Sequence, residues 1–407
     1  MRILIVTNNY TPYSGGVVSS LKALVPELQR TGHEVLLVAP QFLSVHPDDP
    51  SVHPDDPAWV FRIPALIRFT WHNNSMALPW RMKHNLSEIM HSFKPDVVHV
   101  QHPFLLGAVA AQVAYSQGIP VVFTYHTMYE AYAHYVPLPQ PWVKRFIVWY
   151  VRRFCNRVTT IIAPGNTVRQ LLIDRGVTTP IVVIPSPLQE VFLKSRQRHE
   201  HQQRGSQLKN LSDTRCVLLT VGRFVVEKNM HAVLDLYAGL PREQFRLVLI
   251  GYGVLYEQLQ EYAYTTLGLS PDDVQFLHKP SQEIIAQWYA DADLFIFTSQ
   301  IDTQGLVLVE AMAGGLPVVA LPGPGQQEVI VDGVNGFICP SLDVMGKQLR
   351  DLVPSAEQSE TDQISEQSPS VDQMNLLRAG ARNTAERYRP EILAAKVIDV
   401  YKQAIRS

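Results

Sequence analysis

The chain has 407 residues, enough for two or three domains of ordinary size. Hydrophobic residues make up 46% and charged residues 18%, a globular rather than a disordered composition. A formal net charge of −2 provides no overall basic surface and argues against nucleic acid as a partner.

The opening run Met1–Thr7 turns polar at Asn8 and Asn9, too short for a signal peptide, and no stretch has the length of a spanning helix. Cys155, Cys216 and Cys339 stand far apart in no metal or disulfide spacing, so structural thiols in a reducing, cytosolic compartment are expected. Ile3–Val6 reads as a buried strand, Ser14–Val17 as a glycine-rich turn, and Leu21–Arg30 as helix. Strands are then predicted at Val35–Ala39, Val97–Val100, Val121–Thr124 and Thr160–Ala163. Continuous apolar runs alternating with helical patterns predict a parallel sheet covered on both faces. The polar stretch Lys194–Arg215 reads as a linker. A second α/β unit follows, with strands at Cys216–Val221, Leu247–Ile250, Val274–Leu277, Leu294–Phe297 and Val318–Leu321. The division expected is a first domain over 1–190, a linker over 191–215 and a second domain over 216–390.

Two segments look inserted. The heptapeptide SVHPDDP occurs twice in tandem, at Ser44–Pro50 and Ser51–Pro57. Its histidines and aspartates invite a metal reading, but the prolines oppose a preformed cage, and a duplicated loop is the preferred interpretation. Pro354–Gln373, rich in Ser, Gln, Glu and Asp, reads as a mobile loop. Pro390 interrupts the helical pattern of Leu376–Tyr388, which resumes over Ile392–Ile405.

Chemistry concentrates in five places. In SQIDTQGLVLVEAMAGGLPVVA, Ser299–Ala320, Asp302 and Glu310 stand with seven residues between them, on the loop and first turns of a helix that follow a strand. In an open α/β sheet that is where ligands sit, and free N–H groups at the helix start suit phosphate. Val221–Asn229 carries Gly222, Arg223, Glu227 and Lys228 at the carboxyl end of another strand, two cations within reach of a diphosphate. Glu227 is expected to orient one of them. Gly15 and Gly16 open a helix after the first strand, and Gly251-Tyr252-Gly253 follows a later one; neither is a dinucleotide fingerprint. His126 ends the strand Val121–Thr124, where a neutral-range imidazole suits a sugar or acceptor hydroxyl.

The paired-acid phrase, with Gly-Arg…Glu-Lys-Asn upstream, resembles the retaining glycosyltransferases of family 4, whose first acid is usually Glu where this chain has Asp302. The resemblance implies the GT-B fold, two doubly wound Rossmann-like α/β domains facing a central cleft, with a final helix, 391–407, packing back on the first domain. It implies a sugar-nucleotide donor on the second domain. Glu310 would bind its ribose, Asp302 a sugar hydroxyl, and Arg223 and Lys228 the leaving diphosphate. Gly222, Gly251, Gly305 and Leu306 would shape the donor pocket, and Gly16 and His126 complete its sugar end. No cofactor or protein-bound metal is expected. TYHTMYEAYAHYV, Thr124–Val136, and DTQGLVLVEAMA are similar to the subgroup that adds glucose to diacylglycerol, which implies UDP-glucose as donor and a lipid acceptor.

Two departures stand out: Pro185-Ser186-Pro187 where a glycine follows the last strand of the first domain, and His278-Lys279-Pro280 where a glycine is common. Between Trp142 and Arg157 the residues Val143, Phe146, Ile147, Tyr150, Val151 and Phe154 share one helical arc, while Lys144, Arg145, Arg152, Arg153 and Trp149 fill the rest. This helix either merely covers the sheet or rests on an anionic membrane surface; with Phe69–Trp71 and Leu78–Lys83 it suggests peripheral attachment to the inner face of the cell membrane. Two rival functions stay open: transfer of mannose or another sugar to phosphatidylinositol or a soluble acceptor, and sugar-nucleotide binding without catalysis.

Overall fold

The computed structural model describes residues 1–13, 15–42, 56–71, 74–136, 138–194, 214–353 and 369–407. Most of the tandem repeat, of the linker and of the polar segment after Val353 lies outside these residues. The chain divides into two compact units, Met1–Gln189 with Pro390–Ser407, and Glu190–Arg389.

Among the described residues the first unit holds nine strands: β1 (Arg2–Val6), β2 (Glu34–Pro40), β3 (Val60–Ile63), β4 (Ala65–Trp71), β5 (Asn74–Pro79), β6 (Val97–Val100), β7 (Val121–Thr124), β8 (Thr160–Ala163) and β9 (Ile181–Val183). Seven form a parallel sheet in the order β3-β2-β1-β6-β7-β8-β9, and β4 and β5 make a separate antiparallel pair. Central strands such as Ile3–Val6 and Val97–Val100 are buried throughout, the cause of their unbroken apolar runs. The first helix runs over Gly16–Arg30, beginning a turn ahead of the apolar pattern from Leu21. Pro390 opens the last helix, Pro390–Arg406, rather than kinking one, as suits a residue with no N–H to lose in a first turn. That helix belongs to this unit, and its Tyr401 hydroxyl lies 2.7 Å from Nδ1 of His99 on β6.

The second unit holds β10 (Cys216–Arg223), β11 (Phe245–Tyr252), β12 (Val274–His278), β13 (Leu294–Phe297), β14 (Val318–Ala320) and β15 (Gly336–Ile338), all parallel, in the order β12-β11-β10-β13-β14-β15. Its core gathers Leu218, Leu247, Leu249, Leu294 and Ile296 from the strands with Val233, Leu234 and Tyr237 from the helix Met230–Ala238. Both units therefore have the doubly wound order. It reverses between β1 and β6 in the first and between β10 and β13 in the second, the switch points at which such sheets open to ligands.

Candidate active site

At the second unit's switch point, β10 ends in Gly222 and Arg223, in register with Gly251 and Tyr252 of β11. A Cβ on Gly251 would stand 1.9 Å from the Gly222 carbonyl oxygen, and one on Gly253, at φ 154°, 2.3 Å from that of Phe224. These glycines are required by the close approach of two backbones. Arg223 is half-buried at the strand end. A short 3-10 turn, Val226–Lys228, follows and stops at Asn229, whose φ of 53° is a left-handed conformation that asparagine tolerates. Thr298 Oγ1 donates to the Asn229 carbonyl at 2.9 Å and Ser299 Oγ to that of Glu227 at 3.0 Å, so the loop after β13 holds the turn after β10.

Across that seam Lys228 Nζ donates to both carboxylate oxygens of Asp302, at 2.6 and 2.7 Å. The partner of Lys228 is thus Asp302, which the loop brings opposite it, rather than Glu227. Asp302 is fixed from behind, its carbonyl accepting the Gly325 N–H at 2.8 Å. A Cβ on Gly325 would lie 2.5 Å from the Gln304 carbonyl carbon, and Gln326 Nε2 donates to the Ser299 carbonyl. Thr298, Gly325 and Gln326, with Ser299 at the start of the paired-acid phrase, thus hold the loops of the site together, and sequence reasoning gave none of the four a role. They act through backbone groups far away in the chain.

Gly305, at φ 63°, caps the helix Leu306–Ala313, which places Glu310 in its second turn. Glu310 is only 7% exposed, and burial pushes its carboxyl up to about 7, against the Tyr289 hydroxyl that donates to Oε2 at 3.3 Å. Tyr289, from the helix Gln282–Asp291, also escaped the sequence reading. At the departure after β12, Lys279 occupies φ 46°, the left-handed region that favours the glycine it stands in for.

In the first unit Gly15 is extended, and a Cβ there would meet the Tyr13 ring at 2.9 Å, whereas one on Gly16, the first helical residue, would meet nothing within 4 Å. Packing thus calls for glycine at position 15 and leaves open space at Gly16. His126 follows β7, its Nε2 2.7 Å from Gln101 Oε1, and burial pushes its imidazole down to about 4. His126 is therefore a neutral hydrogen-bonding group near pH 7. The rest of its phrase is partly structural: Tyr125 is fully buried, Tyr129 packs edge-on against Phe104, and Glu130 pairs with Arg175. Tyr132 and Tyr135 stack half-buried, and His134 is exposed.

The helix Gln140–Cys155 buries Val143, Val151, Phe154 and Cys155. Phe146, expected on the inward arc, is 58% exposed; it stacks obliquely on Trp149, and Trp142 is 77% exposed beside them. Lys144, Arg145, Arg152 and Arg153 are exposed on the same helix, with the Arg153 guanidinium 6.0 Å from the Trp149 ring centre. Leu78 and Trp80 are also exposed, while the side chains of Phe69–Trp71 lie outside the described residues. Among the described residues no helix is long and apolar enough to cross a membrane.

Two Rossmann-like parallel-sheet units in one chain give the GT-B fold. Residues 14–189 match the family model Glycosyltransferase Family 4, and 202–366 match Glycosyl transferases group 1. The chain is 30% identical to an alpha-monoglucosyldiacylglycerol synthase of Streptococcus pneumoniae, over 88% of this chain and 80% of that one. It is 25% identical to a GDP-mannose-dependent alpha-mannosyltransferase of Corynebacterium glutamicum, over 88% and 79% of the two chains. The structure of the Anabaena protein HepE in complex with UDP superposes with a TM-score of 0.70 at 19% identity, covering 99% of this chain and all of that one. The chain belongs to the family 4 glycosyltransferases.

Proposed function

We propose that the protein is a retaining hexosyltransferase that moves glucose from UDP-glucose to diacylglycerol at a membrane surface. The observation that carries the reading is the Lys228–Asp302 seam, with Arg223 beside it, at the carboxyl ends of β10 and β13. A diphosphate leaving group gains negative charge as its bond to the sugar breaks, and fixed cations stabilise that charge most when they cost no reorganisation. Arg223 and Lys228 take that part, Glu310 holds the ribose hydroxyls, Asp302 faces the sugar, and Gly222, Gly251, Gly305 and Leu306 line the donor. His126 and Gly16 contribute a neutral imidazole for a hydroxyl and a backbone N–H for an anion. In front-face displacement the bond from C1 to the phosphate oxygen breaks as C1 bonds to the acceptor oxygen on the same face. The departing phosphate takes the acceptor's proton.

The diacylglycerol acceptor is supported by the glucosyldiacylglycerol synthase relative and by the exposed Trp142, Phe146 and Trp149 among four basic residues, a pattern suited to an anionic membrane face. UDP as the nucleotide is supported by the HepE complex. The mannosyltransferase relative favours a second reading, GDP-mannose as donor. Incubating the protein with UDP- and GDP-sugars and diacylglycerol vesicles, with the lipids read by mass spectrometry, separates the two. Hexosyl-diacylglycerol formed from UDP-glucose is the expected result, and product from GDP-mannose alone would replace it with the second reading.

A further inference from the structure

Asp302 does more than face a sugar. Its carboxylate spans Lys228 Nζ with both oxygens, and among the described residues Lys228 is the one side chain bonded to it. The Nζ also lies 5.8 Å from the ring centre of Phe297, itself buried. Both charged side chains keep 18% of their surface exposed, so the pair is accessible to a ligand. An ammonium has three N–H donors; two are aimed at Asp302 and one remains for a phosphate oxygen. A diphosphate arriving there meets a lysine whose charge is already balanced by a carboxylate less than 3 Å away.

We infer that Asp302 is the built-in counter-ion of Lys228, aiming the ammonium while limiting how tightly the nucleoside diphosphate product is held. The inference rests on the donor-site reading above. It makes Asp302 a positioning residue toward the phosphates, acting through Lys228. The grip on the diphosphate is set by a balance of charges. With the carboxylate present, each added phosphate charge is attracted by the ammonium and repelled, from somewhat farther off, by the acid on the ammonium's other donors. Without it, attraction alone remains, at the reduced effective dielectric of a partly buried site. A transferase that must release its product every turnover benefits from that moderation.

The sign of the effect separates this account from a purely structural role. Loss of a loop-stabilising acid would weaken nucleotide binding, whereas loss of a counter-ion strengthens it. The Asp302 carbonyl that accepts from Gly325 is retained in any variant.

The test is calorimetric titration of the full-length parent, Asp302→Asn, Asp302→Ser, Lys228→Ala and the Asp302→Asn/Lys228→Ala double variant with UDP and UMP, and in parallel with GDP and GMP. For whichever diphosphate the parent binds more tightly, Asp302→Asn and Asp302→Ser are expected to bind it at least about fivefold more tightly. The matching monophosphate, lacking the β-phosphate, should change less than about twofold, and in the Lys228→Ala background, where only direct repulsion by the acid remains, the gain from Asp302→Asn should shrink. Diphosphate binding by both Asp302 variants that is unchanged or weaker overturns the counter-ion role. Lys228→Ala binding diphosphate like the parent, or a parent that binds neither diphosphate, instead removes the donor-site reading on which it stands.

Discussion

A side chain that neutralises a leaving diphosphate has to be charged, aimed and reachable, and Lys228 meets all three conditions through Asp302, 74 positions away. Arg223→Ala and Lys228→Ala are each expected to lower kcat/KM by two or more decades, roughly 3 kcal/mol, the scale of losing one donor that acts mainly in the transition state. Steady-state kinetics showing a tenfold or smaller loss in both would remove them from the phosphate clamp. Glu310 sets a pH dependence of its own. Its folded-state carboxyl is raised to about 7, so the ionised form that accepts ribose hydroxyls is populated only as pH passes neutrality. Sugar-nucleotide affinity should therefore rise between pH 6 and pH 8. The same sign makes burial of Glu310 a cost to folding that is absent below its unfolded value and grows as pH rises toward 7. In Glu310→Gln, equilibrium titrations should show a weaker and flatter profile, and a parent-like rise would contradict the ribose role. At this scale the sequence was informative where residues belong to one phrase. Asp302, Glu310, Arg223, Lys228 and His126 were all legible. Tyr289 and Gln101, which set the surroundings of Glu310 and His126, were not, because a tyrosine on a covering helix or a glutamine at a strand end looks the same whether or not it touches an acid or an imidazole.

Among the elements, the long buried strands announced themselves: β6, β7, β8 and β13 lie where their apolar runs predict. The strands left unread were short or partly exposed. β9 and β15 have three residues each, and β4 exposes Leu66 and Ile67, so neither length nor alternation marks them. The helix Gln140–Cys155 shows why periodicity alone overstates burial. Its arc contains Phe146, but the buried stripe is narrower, and Phe146 joins Trp142 and Trp149 outside. Replacing Lys144, Arg145, Arg152 and Arg153 together by Gln is expected to abolish most binding to vesicles containing anionic lipid, since each base near such a surface contributes about 1 kcal/mol and salt screens it. Co-sedimentation reads the binding directly. Turnover of a water-soluble acceptor analogue should survive the change while turnover of vesicle-borne lipid falls; equal activity on vesicles would make this helix an ordinary cover of the sheet.

For the whole molecule, a net charge of −2 coexists with a locally basic helix, so adsorption to an anionic membrane depends on charge placement rather than on the total. Both sheets reverse their strand order beside the residues singled out for chemistry, Gly16 and His126 in one unit and Arg223, Lys228 and Asp302 in the other. The fold class was readable before the structure because continuous apolar runs alternate with helical patterns and the motif phrases resemble those of the GT-B family. The choice of sugar and acceptor was not, because the residues that neutralise a diphosphate serve any nucleotide sugar equally well. The most direct measurement supplies UDP-glucose and GDP-mannose together to the protein with diacylglycerol vesicles and determines the identity and anomeric configuration of the lipid-linked sugar by proton NMR. The account predicts α-glucosyl-diacylglycerol, the donor's anomeric configuration retained; a mannosyl lipid, an inverted β-glucoside or no glycolipid would contradict it.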